Sequence, residues 1–353
     1  MSPDFQLQSA PIYLGTLTGA FRGWFDKQAY SAVLILTDEN THQHCLPYFL
    51  NQTGLQGKCI QAGIASGEGA KNLRSAEKVW QVMQEANLDR KSLVINLGGG
   101  VIGDLGGFCA ATWKRGIDFV QIPTTLLAMT DAAIGGKTGI DFQGIKNIIG
   151  VFQQPAAVFV DPNFLQTLPE REIRSGYAEV IKHALIGSPE LKQQLQEDNA
   201  PKLPDDWTRI LRNSIAVKVR VVQEDPTEKG LRMLLNFGHS IGHALESLFL
   251  NTDTPLTHGE AVYIGMICEA HLSENRALEH AVESLGHTLF PIHNIPSTAF
   301  PKIRELMLQD KKNSSGTVRM AVPDETPFSL KMIEPTPQEI DRSLDYYNSL
   351  GGQ

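Results

Sequence analysis

Two histidines stand four residues apart in "NFGHSIGHALE" (236–246), His239 and His243, one turn from each other in a segment patterned as a helix. Imidazoles at that spacing can share one metal ion, act separately on a substrate, or pack as ordinary side chains. At about 100° per residue, Arg232, Asn236, His239 and His243 fall within about 60° of one another. The other residues of this segment, Met233, Leu234, Leu235, Phe237, Ile241, Ala244 and Leu245, are apolar, and a helix apolar nearly all round is buried. Buried Arg and His require partners. The polar stripe therefore faces a wet cleft or a set of bound groups, with a solvent-facing stripe as the plain alternative.

A second apolar helix, "YAEVIKHALI" (177–186), encloses Glu179, Lys182 and His183, and "THGEAVYIGM" (257–266) opens a third at His258. One glutamate and two histidines on separate elements make a ligand set for catalytic zinc that keeps a position open for substrate. Spacing alone favours His239 with His243 and one carboxylate. "HQHC" (42–45) looks metal-like, but alternating residues splay apart on a strand, so it reads as surface.

Phosphate-binding patterns occur upstream. "GGGVIG" (98–103) satisfies GxGxxG through Gly98, Gly100 and Gly103, directly after the apolar run LVINL (93–97) and before a helix. That context suits a dinucleotide pyrophosphate at a helix N-terminus. It does not follow the first apparent strand, however, and an ordinary tight turn stays open. "IGGKTG" (134–139) suggests a P-loop through Gly136-Lys137-Thr138, yet Asp131 occupies the position of the required first glycine. "SGEGAKN" (66–72) reads as a loop with a solvated Glu68–Lys71 pair.

The elements that must position these groups change character along the chain. AVLILT (32–37), LVINL (93–97), FVQIPTT (119–125) and AAVFVDP (156–162) are short apolar runs spaced as βα units with a parallel sheet. Beyond about residue 165 helical patterns take over. The division is a 1–168 α/β domain and a 169–353 mostly helical domain. The 353 residues are 42% hydrophobic and 20% charged, as in soluble globular proteins. No apolar run nears the roughly 20 residues of a membrane span, and MSPDFQLQSAPIYLG lacks a signal-peptide pattern, which reads as cytoplasmic. A net charge of −8 argues against nucleic acid as the main partner. Local Lys and Arg in a cleft can still hold a small anion. The four dispersed cysteines, Cys45, Cys59, Cys109 and Cys268, read as reduced thiols.

Taken in order, GGGVIGDLGGFCAATWKRG, QIPTTLLAMTDAAIGGKTGID, KNIIGVFQQP, LPEREIRSGYAEVIKH, RMLLNFGHSIGHALE, LTHGEAVYIGM and QDKKNSSG closely resemble the 3-dehydroquinate synthases, members of the sugar phosphate cyclases. The resemblance runs from about Asp38 to Lys312. It implies a Rossmann-like N-terminal domain, a helical C-terminal domain, and an active site in the cleft between them. By the same matching the metal ligands are Glu179, His239 and His258, for Zn2+ or Co2+, and His243 is left to the substrate. NAD+ is expected on Asp38, Ser66, Gly67, Glu68, Lys71, Gly99, Gly100, Val101, Ile102, Gly103 and Asp104. Thr124, Thr125, Lys137, Lys146, Phe164, Leu165, Gln166 and Thr167 complete that cofactor set. Asp131, Lys137, Asn147, Lys182, Arg232, Asn236, His243, Lys311 and Lys312 match positions that hold substrate, and Arg115 matches an arginine supplied across a homodimer interface.

The implied substrate, 3-deoxy-D-arabino-heptulosonate 7-phosphate, carries a carboxylate and a phosphate. Lys137, Lys182, Arg232 and Lys311/Lys312 supply the positive charge that the acidic chain otherwise lacks. The implied chemistry is transient oxidation at C5 by NAD+, loss of phosphate from C7, return of the hydride, and ring closure by an aldol step. Thr130, Ala132, Ala133, Ser240 and Ile241 depart from the family's usual residues without removing a charged or metal-binding group. A related cyclase making 2-deoxy-scyllo-inosose or a valiolone, a metal-dependent polyol dehydrogenase, and an inactive NAD-binding scaffold are the competing readings.

Overall fold

A computed structural model describes residues 2–143, 145–197, 206–250, 252–309 and 317–352. By internal contacts the chain divides into two units. The first is Met1–Ile173 with Trp207–Val219, and the second is Arg174–Asp206 with Arg220–Gln353.

The first unit is built on a seven-stranded sheet. Its strands are β1 (Phe5–Leu7), β2 (Ala10–Leu14), β3 (Val33–Asp38), β4 (Ile60–Ile64), β5 (Leu93–Gly98), β6 (Asp118–Pro123) and β9 (Ala157–Val160). β7 (Lys137–Phe142) and β8 (Ile145–Phe152) form a separate antiparallel hairpin. The sheet order is β1-β2-β9-β6-β5-β3-β4, parallel except for the β1–β2 pair. β5 and β9 are buried at every residue, as expected of strands covered on both faces. Leu34, Leu36, Val94, Ile102, Leu105, Phe108 and Phe119 form the core between the sheet and α1 (Gly100–Thr112).

Strand order fixes where a ligand can sit. β4 lies on one side of β3 and β5 on the other, so the order reverses between β3 and β5. In open α/β sheets ligands bind at the carboxyl ends of the strands flanking such a switch point. Asp38 ends β3, and the Gly98–Gly100 turn joins β5 to α1. The GxGxxG turn follows the fifth strand in sequence and lies at one side of this switch point, with Asp38 at the other.

The second unit is mostly helical, with one two-stranded ribbon, β10 (Met320–Pro323) and β11 (Leu330–Ile333). Its helices include α2 (Glu170–Gly187, of which the unit takes the part from Arg174), α3 (His239–Phe249) and α4 (His258–Leu272). α4 is buried from Gly259 through Ala270 and, apart from Glu260 and Glu269, carries no charged residue there, the pattern of a helix covered all round. No helix among the described residues is long and apolar enough to cross a membrane.

Two local expectations change, and a third holds. "NFGHSIGHALE" is not one helix. Leu231–Asn236 is a 3-10 turn, and α3 starts at His239 after Gly238, whose φ of +81° is left-handed. A Cβ on Gly238 would also lie 2.6 Å from the Val262 carbonyl oxygen, so the break is fixed by backbone conformation and close packing together. Arg232 and Asn236 thus precede the helix that carries His239 and His243. Residues 42–44 lie in a short helix, Glu39–His44, capped by Asp38, and not on a strand. After Gly136 the chain enters β7 and not the helix that a P-loop requires, in line with the misplaced glycine.

Candidate active site

The second unit brings Glu179, His239 and His258 together. Glu179 lies on α2 among buried neighbours from Ser175 to Ala184 and is itself fully buried. Its Oε1 lies 3.7 Å from His239 Nε2 and 3.8 Å from His258 Nε2. The potential donor atoms of the three residues all fall within 4.8 Å of one another. Bonds of about 2.0–2.2 Å to one tetrahedral ion would set donors about 3.4 Å apart, so the set fits a divalent metal with little movement. A fully buried carboxylate facing two imidazoles is costly without a cation. Lys182, one turn on along α2, brings its ammonium against Glu179 Oε2 and donates to the Leu235 carbonyl at 2.7 Å.

Each histidine is set by a backbone device. His239 opens α3, and the buried Glu269 carboxylate on α4 accepts from Gly238 N (2.7 Å), Ser240 N (3.0 Å) and Ile241 N (3.3 Å). A carboxylate at a helix N-terminus satisfies its orphan donors and the positive end of its dipole. His258 opens α4 inside a capping box between Thr257 and Glu260. The next residue, Gly259, donates its N–H to Ser175 Oγ at 3.0 Å, and a Cβ there would sit 1.9 Å from the Ser175 carbonyl oxygen. Only glycine allows α4 to start this close to α2.

His243, one turn beyond His239, has its ring centroid 5.0 Å from that of His239 and 6.1 Å from that of His258. It is half-buried, beside the presumptive ligands without joining the Glu179 set. In the preceding turn Arg232 donates to the Pro226 carbonyl at 2.9 Å, and Asn236 donates to Glu228 Oε1 at 2.7 Å. Lys311 and Lys312 lie outside the described residues.

Burial alone would lower the basicity of His258, but hydrogen bonds to Glu179 and Glu246 outweigh it and raise its pKa to about 9. In the metal-free protein an ion must displace that proton to reach the ring nitrogen. Zinc affinity should therefore rise by up to about tenfold per pH unit between pH 7 and about 9 and level off above. Chelator competition across that range checks it, and a flat profile would contradict it.

The first unit gathers the nucleotide candidates at the carboxyl ends of its strands. Asp38 follows β3, Ser66, Gly67, Glu68 and Lys71 follow β4, Gly99 to Asp104 follow β5, Thr124 and Thr125 follow β6, and Phe164 to Thr167 follow β9. The Glu68–Lys71 pair is not solvated. Lys71 is buried and meets Glu68 at 3.2 Å and Asp104 at 3.0 Å, because Asp104 arrives from α1, more than thirty residues away. Burial raises the Asp104 carboxyl to about 6 against the opposing pull of Lys71. Asp131 forms an ion pair with the buried Lys218. Lys137, Lys146 and Asn147 lie on the β7–β8 hairpin, where the Asn147 N–H donates to Asp141 at 2.8 Å. Arg115 is exposed in a turn with φ of +70°.

The profile of the 3-dehydroquinate synthase N-terminal domain matches residues 61–175, and that of the C-terminal domain matches 176–313. A 3-dehydroquinate synthase of Parabacteroides distasonis is 38% identical over 330 residues, covering 92% of this chain and 93% of that protein. The chain belongs to the 3-dehydroquinate synthase family. Another member, from Synechocystis sp., is 45% identical over 273 residues, 74% of each chain. Among solved structures, a 2-epi-5-epi-valiolone synthase from Streptomyces hygroscopicus subsp. jinggangensis, with NAD+ and Zn2+ bound, matches with TM-score 0.84 and 26% identity over 98% of both chains. A 2-deoxy-scyllo-inosose synthase complexed with carbaglucose-6-phosphate, NAD+ and Co2+ shares the fold at TM-score 0.79 and 22% identity, over 96% of both chains.

Sequence reasoning missed several supporting groups of this 3-dehydroquinate synthase relative: Glu246, Glu269, Glu228 and Lys218. Glu269 and Lys218 meet their partners only through the fold, so local patterning carried no signal for them. One clue was available. Glu246 follows His239 by seven residues and His243 by three, which places it on the same helical face.

Proposed function

We propose that this protein converts 3-deoxy-D-arabino-heptulosonate 7-phosphate to 3-dehydroquinate with release of phosphate. The Glu179–His239–His258 set around the fully buried Glu179 carboxylate, with Lys182 against Glu179, in a chain of the 3-dehydroquinate synthase family, carries this reading. Glu179, His239 and His258 would hold Zn2+ or Co2+, and the residues at the carboxyl ends of the first unit's strands would hold NAD+. When bound, NAD+ accepts and returns a hydride and the metal ion supplies Lewis acidity toward a substrate hydroxyl.

The chain's own residues divide the remaining work. Lys182 and Arg232, both buried, are cations suited to the carboxylate and phosphate of the substrate, and Asn236 adds a neutral donor. Asp131, Lys137, Asn147, Lys311 and Lys312 complete the substrate set. His243 stands beside the ligand set without belonging to it, the right place to hold or move a proton on a hydroxyl being oxidised or reduced. The domain assignment proposed with this reading is a nucleotide-binding 1–168 region and a metal- and substrate-binding 169–353 region.

The protein would act as a cytoplasmic homodimer. Phe142, Ile145 and Phe152 on the β7–β8 hairpin are 43%, 54% and 72% exposed, with Ile148, Ile149 and Val151 beside them. Exposed apolar side chains concentrated on one hairpin mark an association surface, and Arg115 is the arginine that this reading expects across the homodimer interface.

The valiolone synthase likeness favours a second reading, a cyclase acting on another sugar phosphate. A substrate panel separates the two. Turnover restricted to the heptulosonate phosphate supports the first reading, whereas preference for a hexose 6-phosphate or another heptulose phosphate supports the second. Net accumulation of NADH at 340 nm would instead identify a dehydrogenase.

A further inference from the structure

The two ring nitrogens of His258 face two different carboxylates. Nε2 lies 3.8 Å from Glu179, and Nδ1 lies 3.3 Å from Glu246 Oε2 on α3. Glu246 is shielded, its side chain 13% exposed, and it shares a helical face with His239 and His243. A carboxylate that accepts from Nδ1–H leaves the Nε2 lone pair free, aims it at the metal position, and increases its donor strength.

We propose that Glu246 is a positioning residue that fixes the tautomer and orientation of His258 for metal binding. The inference rests on Glu179, His239 and His258 being the ligand set. His243, Glu246 and His258 also lie close enough to be read as a second ligand set. The two sets share His258, and its Nδ1 can donate to Glu246 or bind an ion, but not both. The Nε2 geometry toward the fully buried Glu179 assigns the metal to that side and the proton to Glu246.

The test is zinc affinity, measured on the metal-free full-length protein by competition with a chromophoric chelator. Glu246→Ala should bind zinc about 10- to 100-fold more weakly, the usual effect of losing such a partner. Glu246→Gln, whose amide oxygen still accepts from Nδ1–H, should stay within a few-fold of the unsubstituted protein. Thermal unfolding of the metal-free proteins reads folding separately. If the alanine variant fails to fold, Glu246→Asp, with its shorter reach, replaces it and should lose zinc affinity by at least about tenfold.

Full affinity in the alanine or aspartate variant would overturn the proposal. Equal loss in the alanine and glutamine variants would overturn it too, making Glu246 a direct ligand. His258→Ala and Glu179→Gln serve as the separate check on the ligand set. If these two retain zinc, the set itself is wrong; if they lose zinc while Glu246→Ala keeps it, only the role given to Glu246 fails.

Discussion

His239→Ala should abolish tight zinc binding and with it turnover, whereas His243→Ala should keep the metal and lose turnover. The two residues have the same type and lie one turn apart, so chemistry alone predicts similar effects. Geometry separates them. His239 Nε2 faces Glu179 at 3.7 Å, and Glu269 fixes the helix start that bears it. His243 stands beside the set with its ring 6.1 Å from that of His258. Losing one of three ligands should weaken zinc by more than the 10- to 100-fold that an outer partner costs. Losing a proton-handling group should lower kcat by about 10²- to 10⁴-fold with the metal in place. Metal content by atomic absorption, with single-turnover rates on the loaded proteins, measures both. Equal zinc loss in the two variants would restore the chelating pair that spacing alone suggested.

Lys182→Ala should separate the metal from the substrate. In the metal-free protein its ammonium balances Glu179 inside the core, and removing one partner of a buried ion pair costs about 3–5 kcal/mol. The thermal midpoint of the metal-free variant should fall accordingly. A bound cation on Glu179 takes over that charge balance, so added zinc should recover most of the loss. Zinc affinity should hold or increase, because the lysine and the metal repel each other. Substrate affinity should drop about 10- to 100-fold, the size of one charge-assisted hydrogen bond. A metal-free midpoint equal to that of the unsubstituted protein, or unchanged substrate affinity, would contradict the role assigned to Lys182.

The parallel strands were legible because β3, β5, β6 and β9 are rich in Val, Ile, Leu and Phe, with polar interruptions in β5 and β6 only at Asn96 and Gln121 within the buried run, the pattern of strands covered on both faces. β4 was missed because IQAGI carries a glutamine and a glycine and lacks that pattern. The hairpin of β7 and β8 was missed because its apolar residues, Ile140 apart, are largely exposed and its first strand begins in a glycine-rich stretch. Helical periodicity ran through Asn236-Phe237-Gly238-His239 without registering the left-handed glycine, since a wheel counts angles and cannot see a turn. The glycine itself was the available signal.

Around the metal candidates the sequence supplied residue types and left their pairing open. Polar residues in apolar helices marked Glu179, Lys182 and His239 as costly to bury and therefore partnered. Which partner each found depended on the folded chain. Lys71 looked solvated beside Glu68 until Asp104 covered it. Glu246 and Glu269 drew no reading from the sequence, yet one meets His258 and the other caps the helix of His239. Local patterning records the cost of burying a group, whereas the group that offsets the cost comes from elsewhere in the chain.

The central claim is a metal-dependent elimination of phosphate that returns NAD+ to its starting state. It is tested most directly by phosphate release from 3-deoxy-D-arabino-heptulosonate 7-phosphate with NAD+ and Zn2+, followed alongside absorbance at 340 nm. Stoichiometric phosphate, 3-dehydroquinate as the product, no net NADH, loss of activity on chelation and recovery on adding zinc are the results expected. Phosphate release that survives complete chelation, or NADH accumulating in step with substrate loss, would contradict it.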